Sequence, residues 1–430
     1  MNIPQKTHVA DPGAIARLRD DSARGARDPR AMLEAALARI DAAEPAVQGF
    51  RLIDRERARA EAAALSGTGP LHGIPVAVKD LIDVAGWPTR AGSRSRADAA
   101  PCSADAHVVT RLRAAGAVIV GKAHTTEFAF FDGPPPTRNP YDLSRTPGGS
   151  SSGPAAVVAS GMVPLSLGTQ TAGSISRPAA YCGIAAFKPS SLSWSSFGVV
   201  PFAPSFDTIG VFGYRVADAA VAARALMPEF IAAAAPSGQL RIAILDDPLL
   251  QAASPATGSM LRGIVAALGA GGIGAVEWLS PVSLTMLNAV HLLMREYELG
   301  HVHAALLDTA DGMVTPSLRE AVARGRATDG ARYLEAVATL AAARENFWTA
   351  LADCDALIFP AAPDVAPVGM ATGDARFVVP FTALGGPIMS IPAGFDQGLP
   401  LGVMLTAAPG RDRTLLAIAE RLAPLIETPR

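Results

Sequence analysis

Apolar and polar positions recur along the chain with the period of helices in some segments and of buried strands in others. Asp28 and Pro29 are typical of a helix start, and the apolar residues that follow fall on one helical face: Met32, Leu33, Ala36, Leu37 and Ile40. We therefore predict that residues 1–66 form a mainly helical N-terminal wrap.

Short β-branched runs predict buried strands at 73–79 and 117–120. The second run follows a helical segment with an apolar stripe: Val108, Val109, Leu112 and Ala115. Further strands are predicted at 240–245, 275–279, 355–359 and 388–391, and helices at 216–227, 256–269, 283–299, 329–352 and 411–425. This alternation predicts an α/β fold with a central mixed β-sheet flanked by helices, formed by residues 1–430 as a single large domain.

The composition narrows the classes of function. Of 430 residues, 50% are hydrophobic and 18% are charged, and the net charge is -2, so neither nucleic-acid binding nor electrostatic membrane attachment is expected. The N-terminus lacks an apolar signal region, which favours a soluble, cytoplasmic protein. Three scattered cysteines, Cys102, Cys182 and Cys354, predict reduced thiols and no metal site of the C-x-x-C kind.

Lysine is rare in this chain. Of 37 basic residues only four are lysines: Lys6, Lys79, Lys122 and Lys188. A lysine can lose its proton and act as a base, whereas an arginine cannot. Lys79 ends an apolar strand, so it is a candidate for such chemistry.

Two turns of small residues carry hydroxyl groups. The first is Thr146-Pro-Gly-Gly-Ser-Ser-Ser-Gly153, and the second is Gly168-Thr-Gln-Thr-Ala-Gly-Ser-Ile175 after an Ala/Val helical pattern. A flexible Gly/Ser linker would not lie between apolar elements on both sides. The two turns are therefore candidates for a catalytic site.

These residues resemble the amidase signature family. The resemblance rests on Gly148–Gly153, on Gly168–Ile175 and on Phe187-Lys-Pro-Ser190, with Ser150 and Ser174 separated by 24 positions. It extends upstream to Gly73–Asp80 and Gly121–Phe128, and downstream to Asp207–Gly210, Gly385–Pro387 and Gly398–Gly402. It thus covers most of the chain.

The resemblance implies a Ser-cisSer-Lys site. Ser174 is then the nucleophile, Ser150 the bridging serine after a cis peptide bond from Gly149, and Lys79 the base, with Ser151 and Gly149 in support. The backbone N–H groups of residues 171–174 are the expected oxyanion hole: Thr171, Ala172, Gly173 and Ser174. A serine hydroxyl needs an adjacent base, and burial lowers the pKa of a lysine enough for it to serve.

Three positions depart from the family pattern. Gln170 stands in place of an Asp, Ala172 in place of a Gly of the oxyanion turn, and Ser176 in place of an Arg, with Arg177 next to it. The Asp–Arg pair usual behind the site is therefore missing or rearranged, while the three catalytic positions are intact.

Other motifs are weaker. Ser151 fits a G-x-S-x-G elbow, but a polar loop precedes it instead of a strand. Gly116–Lys122 nearly fits a phosphate loop but lacks the following Ser or Thr. His301 and His303 are spaced i,i+2, so they do not share a helix face as metal ligands would, and Cys182 has no nearby histidine.

The sequence thus predicts an amidohydrolase that cleaves the C–N bond of small neutral aryl or alkyl amides through an acyl-enzyme, and possible related substrates are carbamates (urethanes) and esters. Residues 128–138 and 194–197 are expected pocket walls without cationic anchors. No cofactor or metal is expected. The expected partners are a small-molecule amide and at most a second copy in a homodimer, with no nucleic acid and no membrane. The alternative is the glutamine-hydrolysing A subunit of a tRNA-dependent amidotransferase.

Overall fold

The computed structural model describes residues 7–15, 17–18, 28–227 and 238–428. Its strands are β1 (Phe50–Ile53), β2 (Pro75–Lys79), β3 (Val118–Ala123), β4 (Leu165–Gln170), β5 (Ala185–Lys188), β6 (Thr208–Gly213), β7 (Arg241–Asp246), β8 (Gly274–Leu279), β9 (Ala356–Pro360), β10 (Ile388–Asp396) and β11 (Leu399–Thr406).

The α-helices of the described residues are α1 (Pro29–Val47), α2 (Arg55–Ala64), α3 (His107–Ala114), α4 (Ser152–Ala159), α5 (Ser176–Tyr181), α6 (Val216–Leu226), α7 (Pro255–Ala270), α8 (Leu284–Val302), α9 (Pro316–Ala327), α10 (Gly330–Ala350), α11 (Val379–Leu384) and α12 (Asp412–Ile426). Short 3-10 helices lie at Arg94–Arg96, Glu127–Ala129, Pro248–Ala252 and Ala304–Asp308.

All of these strands belong to one 11-stranded sheet, in the order β1-β3-β2-β4-β6-β5-β10-β11-β9-β7-β8. Strand β2 is parallel to β3 and β4, and β7 is parallel to β8 and β9. The remaining pairs are antiparallel. The predicted α/β fold with a central mixed sheet is therefore confirmed.

Helices cover both faces of the sheet, because the side chains of a buried strand point alternately to opposite sides. Val76 and Val78 of β2 pack in the same apolar cluster as α3, α6, α7 and α12. Ala77 between them joins the cluster of α1, α4 and α5 on the other face. A third cluster holds α8–α11. These clusters are buried and apolar, so a polar side chain placed among them depends on partners within the protein.

The sheet brings the predicted site together at one edge. Strands β2 and β4 are parallel neighbours, with Val76 opposite Leu165 and Val78 opposite Leu167. Their carboxyl ends therefore meet: β2 ends at Lys79, and β4 ends at Gln170, where the turn 171–175 begins. Helix α4, whose residues are all buried, begins beside them immediately after the 148–151 turn.

The predicted elements agree with the structure to within a few residues where apolar runs are continuous, and differ elsewhere. Residues 168–170, predicted to belong to a turn, form the end of β4. Strand β1 interrupts the predicted helical wrap of residues 1–66 and pairs with β3. Residues 1–6, 16 and 19–27 of that wrap, and residues 228–237 and 429–430 of the predicted 1–430 domain, lie outside the described residues, so both extents stay predictions.

No helix among the described residues is long and apolar enough to span a membrane.

Candidate active site

Lys79 is a fully buried lysine whose amine lies among three hydroxyl groups. All five residues of β2 are buried, and the exposed fraction of Lys79 is 0%. Its Nζ lies 2.7 Å from Ser150 Oγ, 2.9 Å from Ser151 Oγ and 2.7 Å from Thr169 Oγ1. Burial lowers the pKa of Lys79 well below that of an ordinary lysine, and the charge of Asp207 opposes this only in part. The site thus favours a neutral amine.

Ser150 and Ser151 lie in the turn that leads into α4. The peptide bond between Gly149 and Ser150 is cis, as the resemblance implied. A side chain at Gly149 would bring a Cβ within 2.6 Å of Thr372 Cγ2, so the turn needs glycine there. Ser151 Oγ donates to the Thr169 carbonyl at 3.1 Å, which ties the turn to the end of β4.

Ser174 lies in the turn between β4 and α5, and its exposed fraction is 7%. It lines a cavity of about 400 Å³ together with Ser150. The other lining residues are Ala129, Phe130, Phe131, Thr171, Ala172, Arg177, Phe202, Arg295, Ala371, Thr372, Gly373, Asp374, Ala375 and Val379. A small molecule in this cavity can therefore touch both serines, while Lys79 lies behind Ser150.

The 171–175 turn is held from outside by side chains. Thr171 Oγ1 donates to Asp207 Oδ1 at 2.5 Å, and His291 Nε2 donates to the Thr171 carbonyl at 2.8 Å. Thr382 Oγ1 donates to the Ala172 carbonyl at 2.5 Å. Among the hydrogen bonds of the described residues, none gives an acceptor to the backbone N–H groups of residues 171–174. Such N–H groups can receive a developing oxyanion.

Gln170 takes over an anchoring role at the end of β4. Its Oε1 accepts from the backbone N–H groups of Ile175 at 2.8 Å and of Ser176 at 3.0 Å. Its Nε2 donates to Thr382 Oγ1 at 2.9 Å. A carboxylate at this position could accept the two N–H groups but could not donate to Thr382, so the neutral amide suits these three partners.

Arg177 does not form the Asp–Arg pair expected behind the site, because its guanidinium bonds backbone carbonyls. Its guanidinium donates to the Gly373 carbonyl at 2.7 Å and to the Gly149 carbonyl at 2.5 Å. Burial lowers the pKa of Arg177, and Tyr181 and Asp374 oppose that shift. Arg177 therefore joins the turn before Ser150 to the 371–375 wall of the cavity and does not bond residue 170.

The weaker motifs lie away from this site or in ordinary structural roles. Lys122 of the near phosphate loop lies in β3 and pairs with Asp80 at 3.1 Å. His301 Nδ1 and His303 Nε2 bond backbone carbonyls of Tyr297 and Pro201. Among the residues with described positions, no group of three or more His, Cys, Asp or Glu is arranged to hold a metal ion.

The expected pocket walls are only partly in place. Phe130 and Phe131 line the cavity as predicted for 128–138. Trp194 and Ser195 instead line a separate small crevice beside α3. Sequence reasoning missed Arg295 and the 371–375 wall, because a helical pattern does not say which loop a given face of α8 will meet.

The amino-acid sequence is similar to a family model and to curated proteins. The family model described as Amidase matches residues 31–416. The A subunit of the glutamyl-tRNA(Gln) amidotransferase of Anaeromyxobacter sp. (strain K) is 34% identical over 463 aligned positions, which cover 93% of this chain and 94% of that protein.

Two solved structures are also similar. A structure described as an amidase has a TM-score of 0.86 and 32% identity, covering 96% of this chain and 100% of its own. A chain from a vestigial protein complex, studied for the origins of an s-triazine catabolic enzyme, has a TM-score of 0.89 and 30% identity, covering 97% of this chain and 100% of its own.

The comparisons correct the prediction about partners. A small-molecule amide, with at most a second copy of the chain, was expected. The curated relatives that match over 90% or more of this chain are named as subunits of an amidotransferase. A prediction that leaves out protein partners is therefore wrong, because it rested on net charge, which says nothing about an uncharged protein–protein contact.

Proposed function

The chain belongs to the amidase signature family, and on that premise we propose that it hydrolyses the C–N bond of a small amide through an acyl-enzyme on Ser174. The observation that carries the proposal is the 2.7 Å separation of Lys79 Nζ and Ser150 Oγ in a fully buried setting, with Ser150 and Ser174 lining one cavity. A neutral amine within hydrogen-bond distance of a serine hydroxyl can accept the proton of that hydroxyl.

In the proposed reaction, Ser174 Oγ attacks the amide carbonyl and its proton passes to Ser150, whose own proton passes to Lys79 Nζ. The carbonyl oxygen becomes negative and receives hydrogen bonds from the backbone N–H groups of residues 171–174. The same two side chains return the proton to the leaving nitrogen, so that the C–N bond breaks and the amine departs. Water then attacks the acyl-enzyme by the reverse route and releases the acid.

The cavity supports a substrate with an aryl or alkyl part. Phe130, Phe202 and Val379 provide an apolar side next to Ser174. Carbamates and esters pass through the same tetrahedral intermediate, so they belong to the same proposal. The cytoplasmic location suggested by the N-terminal sequence stays a prediction.

A panel of anilides, primary amides, carbamates, ureas and glutamine tests the proposal, assayed with and without chelator. We expect the purified chain to hydrolyse at least one simple amide and to keep that activity with chelator. Loss of activity with chelator would return His301 and His303 to consideration, and activity on none of the panel would overturn the stand-alone reaction.

The second candidate is the glutamine-hydrolysing subunit of an amidotransferase, which has protein partners. It is favoured by curated relatives that are 32–34% identical over 90–93% of this chain and carry that name. Activity on glutamine alone, or only after another subunit is added, would select this candidate. Both candidates use the same serines and lysine, so the panel separates them by substrate and by partner dependence.

A further inference from the structure

Arg295 is a cation in the candidate cavity that forms no salt bridge with any residue the structure describes. It lies on α8 (Leu284–Val302) and lines the same cavity as Ser150 and Ser174. Its Nε is buried and has no hydrogen-bond acceptor within the described ranges. The salt bridges recorded for those ranges include none to Arg295. Burial lowers the pKa of Arg295, as expected for a cation held out of water.

The carboxylates nearest to Arg295 along α8 are engaged elsewhere. Glu296 pairs with Arg324 at 3.1 Å. Glu298 accepts from the backbone N–H of Ser205 at 2.9 Å and from Tyr333 Oη at 3.0 Å. Both carboxylates are therefore paired or hydrogen-bonded elsewhere, and the charge of Glu296 offsets the effect of burial on the pKa of Arg295 only in part.

The remaining charges of the cavity wall leave it positive. Asp374 pairs with Arg376, with 2.6 Å between Oδ2 and Nε. Arg177, the second guanidinium of the wall, bonds two neutral carbonyl oxygens. A partly buried cation that lacks a counter-ion is costly, and an anion that enters the cavity would offset this cost.

Helix α8 holds Arg295 at a fixed place relative to the 171–175 turn. His291, one turn before Arg295, donates to the Thr171 carbonyl, and Glu298, one turn after it, accepts from Ser205. Residues spaced by three or four positions share one helix face. The face that carries Arg295 is thus anchored on both sides to the loops that form the cavity.

We propose that Arg295 binds an anionic group, a carboxylate, on the acyl part of the substrate while the amide carbonyl lies at Ser174. The substrate class is then the monoamides of dicarboxylic acids, which replaces the neutral amide expected from the sequence. This inference rests on the proposed amide hydrolysis at Ser174. A guanidinium suits the role because its planar array of donors matches a carboxylate.

The test compares glutaramate, which ends in a carboxylate, with 5-methylhexanamide, in which a neutral isopropyl group of similar shape replaces it. We expect the wild-type chain to prefer glutaramate in kcat/KM. The Arg295→Gln variant should lose roughly 100-fold on glutaramate and change less than about threefold on the neutral amide. Arg295→Lys, which keeps the charge but not the planar fork, should fall between them.

Arg262→Gln is the matched control, because it removes an exposed arginine that donates to Ser259 Oγ and does not line the cavity. It should leave the ratio of the two substrates unchanged. Thermal melting checks the folding of each variant. If Arg295→Gln does not fold, the ratio of kcat/KM on the two substrates is compared between Arg295→Lys and wild type instead. An equal loss on both substrates would overturn the subsite.

A binding measurement separates this inference from the proposed reaction. Glutarate, the product dicarboxylate, is titrated calorimetrically into Ser174→Ala and into Ser174→Ala with Arg295→Gln. Binding that depends on Arg295 supports the subsite even if the wild-type chain hydrolyses no amide, in which case only the proposed reaction fails. Hydrolysis of neutral amides without glutarate binding overturns the subsite and leaves the proposed reaction standing.

Discussion

The amine of Lys79 and the hydroxyl of Thr169 lie 2.7 Å apart, on the neighbouring parallel strands β2 and β4. Ser151 already donates its proton to the Thr169 carbonyl, so Lys79 can only donate to Ser151. A neutral amine has two protons and one lone pair. With one proton given to Ser151, the amine can accept from one of the two remaining hydroxyls, Ser150 or Thr169, and the proposed proton transfer uses acceptance from Ser150.

Ser174→Ala should lower turnover by about 10³-fold or more while leaving the fold unchanged, because the hydroxyl faces the cavity and the residue sits in a turn. Turnover and acyl-enzyme formation, followed by mass spectrometry, measure the effect. Ser176→Ala is the matched control. Its Oγ is buried without a hydrogen-bond partner in the described residues, so its removal should leave activity intact. A Ser174→Ala variant that retains a tenth of the activity would show that another nucleophile acts.

Lys79→Arg should be nearly as damaging as Lys79→Met, with losses of about 10²–10⁴-fold in kcat. The arginine keeps a positive charge but cannot serve as a neutral base. Steady-state kinetics on the best substrate of the panel measure both variants. Lys122→Met is the comparison: it removes another buried strand lysine, which pairs with Asp80. The Lys122→Met change should lower the free energy of unfolding, while the activity of the folded enzyme keeps its dependence on pH.

Activity should rise with pH and level off above the pKa of Lys79, which burial places well below that of an ordinary lysine. Only the deprotonated amine can accept a proton, so kcat/KM is lost as pH falls through that pKa. Burial lowers the pKa values of His291 and His124 to about 3 and about 4. Both histidines therefore stay neutral near pH 7 and add no further change to the dependence of kcat/KM on pH in that range. A profile that stays flat into acidic pH would remove Lys79 from the mechanism.

Gln170→Leu should lower both stability and kcat. The change leaves the N–H groups of Ile175 and Ser176 without their acceptor, which costs about 1–3 kcal/mol for each buried group left unpaired. Because those groups hold the turn that carries Ser174, kcat should fall more than KM rises. Thermal melting and steady-state kinetics give the two readings. Gln251→Leu, at an exposed position, should change neither.

Lys188→Met should flatten the dependence of stability on pH. Burial lowers the pKa of Lys188 from 10.5 to about 7. Between these values the unfolded chain binds a proton that the folded chain does not, so the free energy of unfolding rises with pH across this window. Removing the lysine should reduce that slope by up to about 1.4 kcal/mol per pH unit. Denaturant unfolding at several pH values measures it, and an unchanged slope would contradict the shift.

The sequence was sufficient to predict strands whose apolar residues form an uninterrupted run. The predicted strands at 240–245 and 355–359 differ by one residue from β7 (Arg241–Asp246) and β9 (Ala356–Pro360), because their apolar runs are continuous. Strand β4 was missed because Ser, Gly, Thr and Gln interrupt its pattern. Some of their polar groups are satisfied by partners distant in the chain, such as Thr382 for the side-chain amide of Gln170.

Some residues of the candidate site were predicted from the sequence and others were not. Lys79, Ser150 and Ser174 were predicted from short motifs, and the structure brings the first two into direct contact. The position of Arg295 depends on the rotation of α8 about its axis, which is fixed by His291 meeting Thr171. Contacts between segments 120 positions apart leave no periodic signal in the sequence, so the charge of the cavity could not be predicted.

The order of the segments along the chain bears on how new specificities arise. Lys79, Ser150 and Ser174 all come from the first half of the chain, whereas Arg295, Asp374 and the 371–375 wall come from after residue 283. Mutations that retune selectivity can therefore accumulate in the second half without touching the reacting groups. In directed evolution toward a different acyl chain, beneficial substitutions are expected in α8 and in 371–375, and at Phe130, Phe131 and Phe202, which line the same cavity from the first half of the chain.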